Sequence, residues 1–300
     1  MNTKNSIPLS LAMATAFVTG SVTTNAALIY KFDYDSGGSG TTVVDSSGFG
    51  TQDNAISYDS TSATANRVAS TGLTVSPDGG NYGNFATDDR RSISSFGDKW
   101  NDGTTGPGAT GEVTVSFLFR DMNLSGGTDK DGAFFRTDNG GSQLTIEPDS
   151  TGGTSTTLQL NVPGSSASTS VAADLSNSTA GNGWNLLAFT YSAGSSTGKV
   201  YLGREFSSTT GTWGSFGQVG TDLSLSGSIP NMDLGAATRA GFGTSSGSSQ
   251  QFNGDDFRIY NEVLSESAIG DLYVVPEPAT FALMFGAFTF GLVMWRRRSR

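Results

Sequence analysis

The chain of 300 residues contains no cysteine and no histidine, which excludes disulfides, thiolate nucleophiles, histidine-based triads and histidine metal sites. Seventeen basic residues face 27 acidic ones; between residues 27 and 275 the balance is twelve against 26, a net of −14, and such a surface repels nucleic acid and anionic lipid. Glycine, serine and threonine are abundant and only 15% of residues are charged, but apolar segments of strand length interrupt them, so the composition reads as strands joined by polar turns and not as disorder.

Residues 1–26 begin with Lys4, continue through an apolar stretch from Ile7 to Val18, and end in small residues, with Thr24 and Ala26 at the spacing of a signal-peptidase site. A removable export leader is expected there.

From residue 28 the period is two. In LIYKFDY, Leu28, Tyr30, Phe32 and Tyr34 alternate onto one face, and in EVTVSFLFR so do Val113, Val115, Phe117 and Phe119. Leu158, Leu160 and Val162 alternate, as do Val200 with Leu202 and Phe257 with Ile259. WNLLAFTY is apolar on both faces, the pattern of a central strand covered on each side. SESAIGDLY, residues 265–273, reads as a short helix capped by Ser265. The pattern predicts an all-β, two-sheet antiparallel sandwich formed as one domain over residues 27–274.

The last segment, 275–300, reads VPEPATFALMFGAFTFGLVMWRRRSR. Residues 279–295 are uncharged and long enough for a thin bilayer: as a helix they would run about 26 Å at ~1.5 Å per residue. Arg296, Arg297, Arg298 and Arg300 would stay on the cytoplasmic side. The order of VPEP, short apolar helix and arginine cluster resembles the PEP-CTERM sorting signal of Gram-negative bacteria. The resemblance implies that an exosortase-type membrane protease reads Pro276, Glu277 and Pro278. It also implies transient anchoring in the inner membrane, release to the cell envelope or extracellular surface, and association with exopolysaccharide.

The segments between also resemble a family. LIYKFDYDSGGSGTTVVDSSGFG is similar to the opening strand and turn of laminin-G-like, concanavalin A-like domains. EVTVSFLFR is similar to their first long central strand, GWNLLAFTYSAGSSTGKVYLG to their tryptophan strand and its partner, and FNGDDFRIYNEVLSESAIGDLY to their closing strand and helix. Residues 45–102 depart from the pattern. The resemblance implies a jelly roll. It also implies a structural calcium near Asp255 and Asp256, with Asp33 and Asp45 as further oxygen donors, because carboxylates suit a hard cation. DKDG at 129–132 lacks the spacing of an EF-hand loop.

Three function classes remain. Polysaccharide or surface-protein binding would use exposed rings, since sugar C–H faces stack on them. The candidates are Trp100 in GDKWNDG, Trp213 in TGTWGSFG and Tyr82 in GGNYGN, each in a glycine-rich turn, whereas Trp184 reads as core. A purely structural matrix component needs no such ring. A glycoside hydrolase or lyase of this fold needs paired acids. None of the six glutamates stands in an E-x-D-x-x-E pattern, and the nearest acidic pair is Asp33 with Asp35. No catalytic residue is assigned and a non-enzymatic binding protein is expected.

Overall fold

The computed structural model describes residues 27–33, 42–48, 55–58, 66–69, 81–85, 91–93, 99–100, 102–123, 134–137, 144–148, 156–162, 169–173, 175, 183–207, 210–229, 240–241, 251–273 and 296. The expected leader 1–26, the motif Pro276, Glu277 and Pro278, and the apolar stretch 279–295 lie outside the described residues. Among the described residues no helix is long and apolar enough to cross a membrane.

In chain order the strands are β1 (Leu28–Phe32), β2 (Thr42–Val44), β3 (Ala55–Tyr58), β4 (Asn66–Ala69), β5 (Asn81–Phe85), β6 (Arg91–Ile93), β7 (Glu112–Asn123) and β8 (Phe135–Thr137). They continue with β9 (Thr145–Pro148), β10 (Thr156–Asn161), β11 (Thr169–Ala173), β12 (Asn185–Ser192), β13 (Thr197–Ser207), β14 (Thr212–Ser224), β15 (Ala240–Gly241) and β16 (Gln251–Tyr260). Helix α1 (Pro107–Thr110) precedes β7; helix α2 (Glu266–Gly270) and a 3-10 turn (Asp271–Tyr273) follow β16.

Every described pairing is antiparallel. The main sheet runs β14-β13-β12-β7-β16-β5-β4, and β1 shares the outer side of β16 with β5. A five-stranded sheet runs β11-β10-β9-β8-β15, and β2-β3-β6 form a third. Residues 45–102, the part that departs from the family pattern, supply β3 to β6.

The alternating residues explain how the layers meet. Val113, Val115, Phe117 and Phe119 of β7, Leu187 and Phe189 of β12, and Phe257 and Ile259 of β16 join Phe135, Ile146, Leu158 and Leu160 of the five-stranded sheet in one buried cluster. Ring centroids cross the gap at 5.8 Å for Phe117–Phe134 and 5.7 Å for Phe135–Phe257. A second cluster lies on the opposite face, where Leu118, Trp184, Leu186, Ala188, Tyr201 and Tyr260 pack under Leu264, Ile269 and Tyr273 of the closing segment. The main sheet is therefore apolar on both faces, which is why β12 is buried along nearly its whole length. Each large side chain so enclosed contributes ~1.5–3 kcal/mol.

Strand β1 departs from strict alternation. Leu28 pairs with Tyr260 and Tyr30 with Ile259, so β1 carries one extra residue at Ile29. Ile29, Tyr30 and Phe32 all enter the inter-sheet core, while Leu28 packs against the opposite cluster. The expectation that Leu28 shares a face with Tyr30 and Phe32 is corrected by this bulge.

The ends of the described domain are clasped. Ala27 N donates to Asn261 Oδ1 at 3.1 Å, and Asn261 N donates to Ala27 O at 3.3 Å. Asn261 Nδ2 reaches Thr105 O at 2.7 Å, and Thr110 Oγ1 donates to Asn261 O at 2.9 Å. The closing segment is held from β7, where Thr114 Oγ1 donates to Glu262 O at 2.6 Å and accepts from Leu264 N at 2.9 Å.

Candidate functional site

The four aspartates nominated for calcium are all buried: Asp255 and Asp256 are 0% exposed, Asp33 8% and Asp45 9%. A second bulge places the first two. Asp255 pairs with Leu118 and Arg258 with Ser116, one residue too many on β16, and Asp256 absorbs the excess with φ of +43°. Asp255 Oδ1 accepts from Asp256 N at 2.8 Å, an aspartate side chain supporting the turn of its own backbone.

The bulge aims Asp256 at cations. Its carboxylate takes Arg258 as a two-pronged pair, Nε to Oδ1 at 2.9 Å and Nη2 to Oδ2. Lys31 Nζ lies 3.8 Å from Asp256 Oδ1 and 3.2 Å from Asp33 Oδ2. Ser46 Oγ donates to the same Asp33 oxygen at 2.8 Å. Burial pushes the Lys31 ammonium down, but Asp256 and Asp33 outweigh it and hold the group above its ordinary value. Burial also pushes Arg258 down, and there Tyr273 and Asp256 more than compensate, so that it stays charged throughout.

The network reaches the closing turn. The Arg258 guanidinium stacks 4.7 Å from the Tyr273 ring centroid, and its Nη1 donates to Leu272 O at 3.3 Å. Tyr273 Oη donates to Asp256 O at 3.2 Å. Burial, then the Asp256 charge, raises the Tyr273 hydroxyl well above the usual phenol range.

Asp45 belongs to a separate, inner cluster. Its Oδ1 accepts from the backbone N–H of Lys31 and of Ser47, each at 2.9 Å. Its Oδ2 contacts Lys99 Nζ and accepts from Ser47 Oγ at 3.1 Å. The Lys99 ammonium sits 5.3 Å from the Tyr30 ring centroid.

This donor set does not fit calcium, which takes six to eight oxygens at roughly 2.3–2.6 Å. The carboxylates of Asp33 and Asp256 face Lys31 and Arg258, and that of Asp45 faces Lys99. Among the described residues no group of three or more acidic side chains is arranged to hold a metal. Among the described residues the protein's own cations stand beside Asp33, Asp256 and Asp45 of the aspartates proposed for calcium. Lys31 two residues before Asp33 and the D-D-F-R run were the available signals, since residues two apart share a strand face.

The ring candidates also move. Trp100 is 0% exposed and lies in the inter-sheet core, 6.4 Å from Phe135, a correction to its reading as an exposed loop residue. Gly106 permits a tight loop here: a side chain there would collide with the backbone carbonyls of Lys99 and Trp100. Trp213 is half-buried and braces the closing helix. Its Nε1 donates to Gly270 O at 3.3 Å, and its ring meets Phe206 and Tyr273 edge-on at 4.9 and 6.2 Å. The side chain of Tyr82 lies outside the described residues. Trp184 is core, with the Arg120 guanidinium 5.3 Å from its ring.

No protein-family model matches the chain, and no curated protein matches it. Solved structures do. The receptor-binding domain of botulinum neurotoxin mosaic serotype C/D aligns with a TM-score of 0.51 at 14% identity, covering 82% of this chain and 50% of that one. The likeness is one of fold. The receptor-binding domain of botulinum neurotoxin D gives 0.49 at 14%, covering 82% and 52%. The binding domain of botulinum neurotoxin DC in complex with SialylT gives 0.48 at 12%, covering 82% and 50%. The chain spans about half the length of these structures.

Proposed function

We propose that the chain is an exported, non-enzymatic protein of the cell envelope or extracellular matrix, whose domain binds polysaccharide or a surface protein. The observation that carries this reading is the outer edge of the main sheet. Strand β14 ends that sheet, is 13 residues long, and carries no charge from Thr212 to Thr221 in a strongly acidic domain. Edge strands are ordinarily blunted by lysine, proline or brevity. This one presents exposed Thr212 and Ser215 and half-exposed Trp213, Phe216 and Gln218. Backbone amides, hydroxyls and a carboxamide together suit a neutral ligand, while the Trp213 and Phe216 rings pack inward and hold the strand in place.

The fold supports the reading in a coarser way. Two large antiparallel sheets packed on one core, with a third small sheet and a short closing helix, are consistent with a laminin-G-like jelly roll, and the fold is similar to that of a receptor-binding domain. Export, inner-membrane anchoring and exosortase processing rest on residues 1–26 and 275–300. Titration of the purified domain against neutral and acidic polysaccharides and against envelope proteins tests the binding reading. Neutral ligands should bind in the micromolar-to-millimolar range, about −4 to −8 kcal/mol. Ser215→Lys with Gln218→Lys should weaken that binding at unchanged melting temperature. A folded domain that binds none of the panel would overturn it.

A second reading, a structural component of an exopolysaccharide matrix with no specific ligand, has its own support. Among the described residues Val263 is the one large hydrophobic side chain that is exposed. The tryptophans at 100, 184 and 213 all serve the interior.

A further inference from the structure

The inner cluster around Asp45 has the parts of a bond-forming site, and we propose that Lys99 and Asp45 condense into an intramolecular isopeptide cross-link. The two side chains are in contact, and only 6% of the Lys99 side chain and 1% of the Asp45 side chain are exposed. They lie beside Tyr30 and Trp100, both 0% exposed in the inter-sheet core. The contact between Lys99 Nζ and Asp45 Oδ2 is direct, so a proton can pass between the two groups without an intermediary.

The carboxyl group is prepared as an electrophile. Oδ1 receives two backbone N–H groups, from Lys31 and Ser47, each at 2.9 Å. Paired backbone donors of this kind stabilise the negative charge that an acyl oxygen acquires under attack. The other oxygen, Oδ2, is the one that touches Lys99. Ser47 Oγ lies 3.1 Å from Oδ2, 3.5 Å from Lys99 Nζ and 2.9 Å from Ile29 O, so its single proton has two acceptors to choose between. Nucleophile, electrophile, charge-stabilising donors and a hydroxyl relay therefore meet at one buried point.

The step balances without any further reagent. One proton passes from the Lys99 ammonium to Asp45 Oδ2, leaving a neutral amine and a neutral acid. The amine lone pair forms a bond to Asp45 Cγ, and the carbonyl π electrons move onto Oδ1, between the two N–H groups. The pair returns as the Cγ–Oδ2 bond breaks. Oδ2 departs with its proton and takes a second from Nζ, directly or through Ser47 Oγ. The products are one amide and one water; nothing is oxidised or reduced.

Such a bond would tie positions 54 apart in the chain. The chain has no cysteine, so this amide would supply a covalent staple that a disulfide cannot. It would hold the segment after β2 against the loop before β7, where Trp100 enters the core.

Mass spectrometry of the full, folded protein tests the proposal directly. The intact mass should be lower than the sequence mass of the isolated species by one water. Tryptic digestion should not cleave after Lys99, and the peptides containing Asp45 and Lys99 should be recovered joined. Lys99→Arg, which keeps the cation but offers no amine, and Asp45→Ala should each restore the full mass. Ser47→Ala should slow the appearance of the linked species after synthesis. Cleavage after Lys99 in the native protein, with an unlinked Asp45 peptide at full mass, would overturn the proposal and leave a plain buried ion pair. A water loss mapped to other residues would overturn it equally. The native protein alone decides the matter, so variants that fail to fold do not blunt the test.

Discussion

The three described tryptophan side chains test different parts of the packing. Trp100→Ala and Trp184→Ala each empty a buried site, and each should cost about 3–5 kcal/mol in urea unfolding. Trp213→Ala should cost less, because its ring is only half-buried and its hydrogen bond to Gly270 O contributes about 1 kcal/mol. Equal losses at the three positions would contradict this packing. Trp100 shows why single residues were poorly legible. A tryptophan among glycines and aspartates reads as exposed from its neighbours, and its packing against Phe135 comes from a distant strand that those neighbours do not show.

The buried charges respond to solution conditions in a stated direction. Lys31, ordinarily near 10.5, and Tyr273, ordinarily near 10.0, both titrate higher in the folded state. A raised value means that the folded state holds its proton more tightly. The stabilisation is therefore complete below pH 10 and is lost as pH climbs past these ordinary values toward the raised ones. The domain should melt at progressively lower temperature above pH 10, and Tyr273→Phe should flatten part of that slope. Asp256→Ala leaves Arg258 and Lys31 without their shared carboxylate and should cost about 3–5 kcal/mol. Chelator should leave the melting curve unchanged, since the cations in this network are side chains; a lowered melting temperature would restore a divalent ion.

At the scale of elements the sequence was more informative. The alternation in β7 and the two-faced apolar run in β12 map directly onto a strand between two cores, because period two is a property of the backbone and needs no tertiary knowledge. The closing helix was legible from its cap: Ser265 Oγ accepts from Ala268 N at 3.2 Å. Ser265→Ala should cost about 1 kcal/mol, read in thermal unfolding. Bulges were not legible. At Ile29 and at Asp256 one inserted residue reverses which side chain points where, and the pairing strand that defines the excess lies far away in sequence. The candidate site was legible in part: Lys31 beside Asp33 and Arg258 beside Asp256 follow from residues two apart sharing a strand face, whereas the pairing of Lys99 with Asp45 depends on a distant loop.

For the whole molecule, the main sheet lies between the five-stranded sheet on one face and the closing helix on the other. Both closures are largely apolar, and each carries buried ion pairs at its margin: Lys99 with Asp45 beside Tyr30, and Arg258 with Asp256 beside Tyr273. If residues 275–300 act as a sorting signal, protein recovered from the envelope of its native host should end near residue 278 by intact mass. Recovery of the chain to Arg300 as the sole stable species would leave a plain anchor in place of a processed one.

The position of Tyr273 has a mechanical consequence. Any tether continuing past it pulls on the closing turn before it pulls on the sheet. The first contacts to feel tension are the Tyr273–Asp256 hydrogen bond, the Arg258 contact to Leu272 O and the edge-on packing against Trp213. These can yield one at a time, letting the helix peel away while β16 stays laced to β7 on one side and to β1 and β5 on the other. A drag on the domain would then be met first by a short, reversible give, with the sheet itself loaded in shear only after that slack is spent.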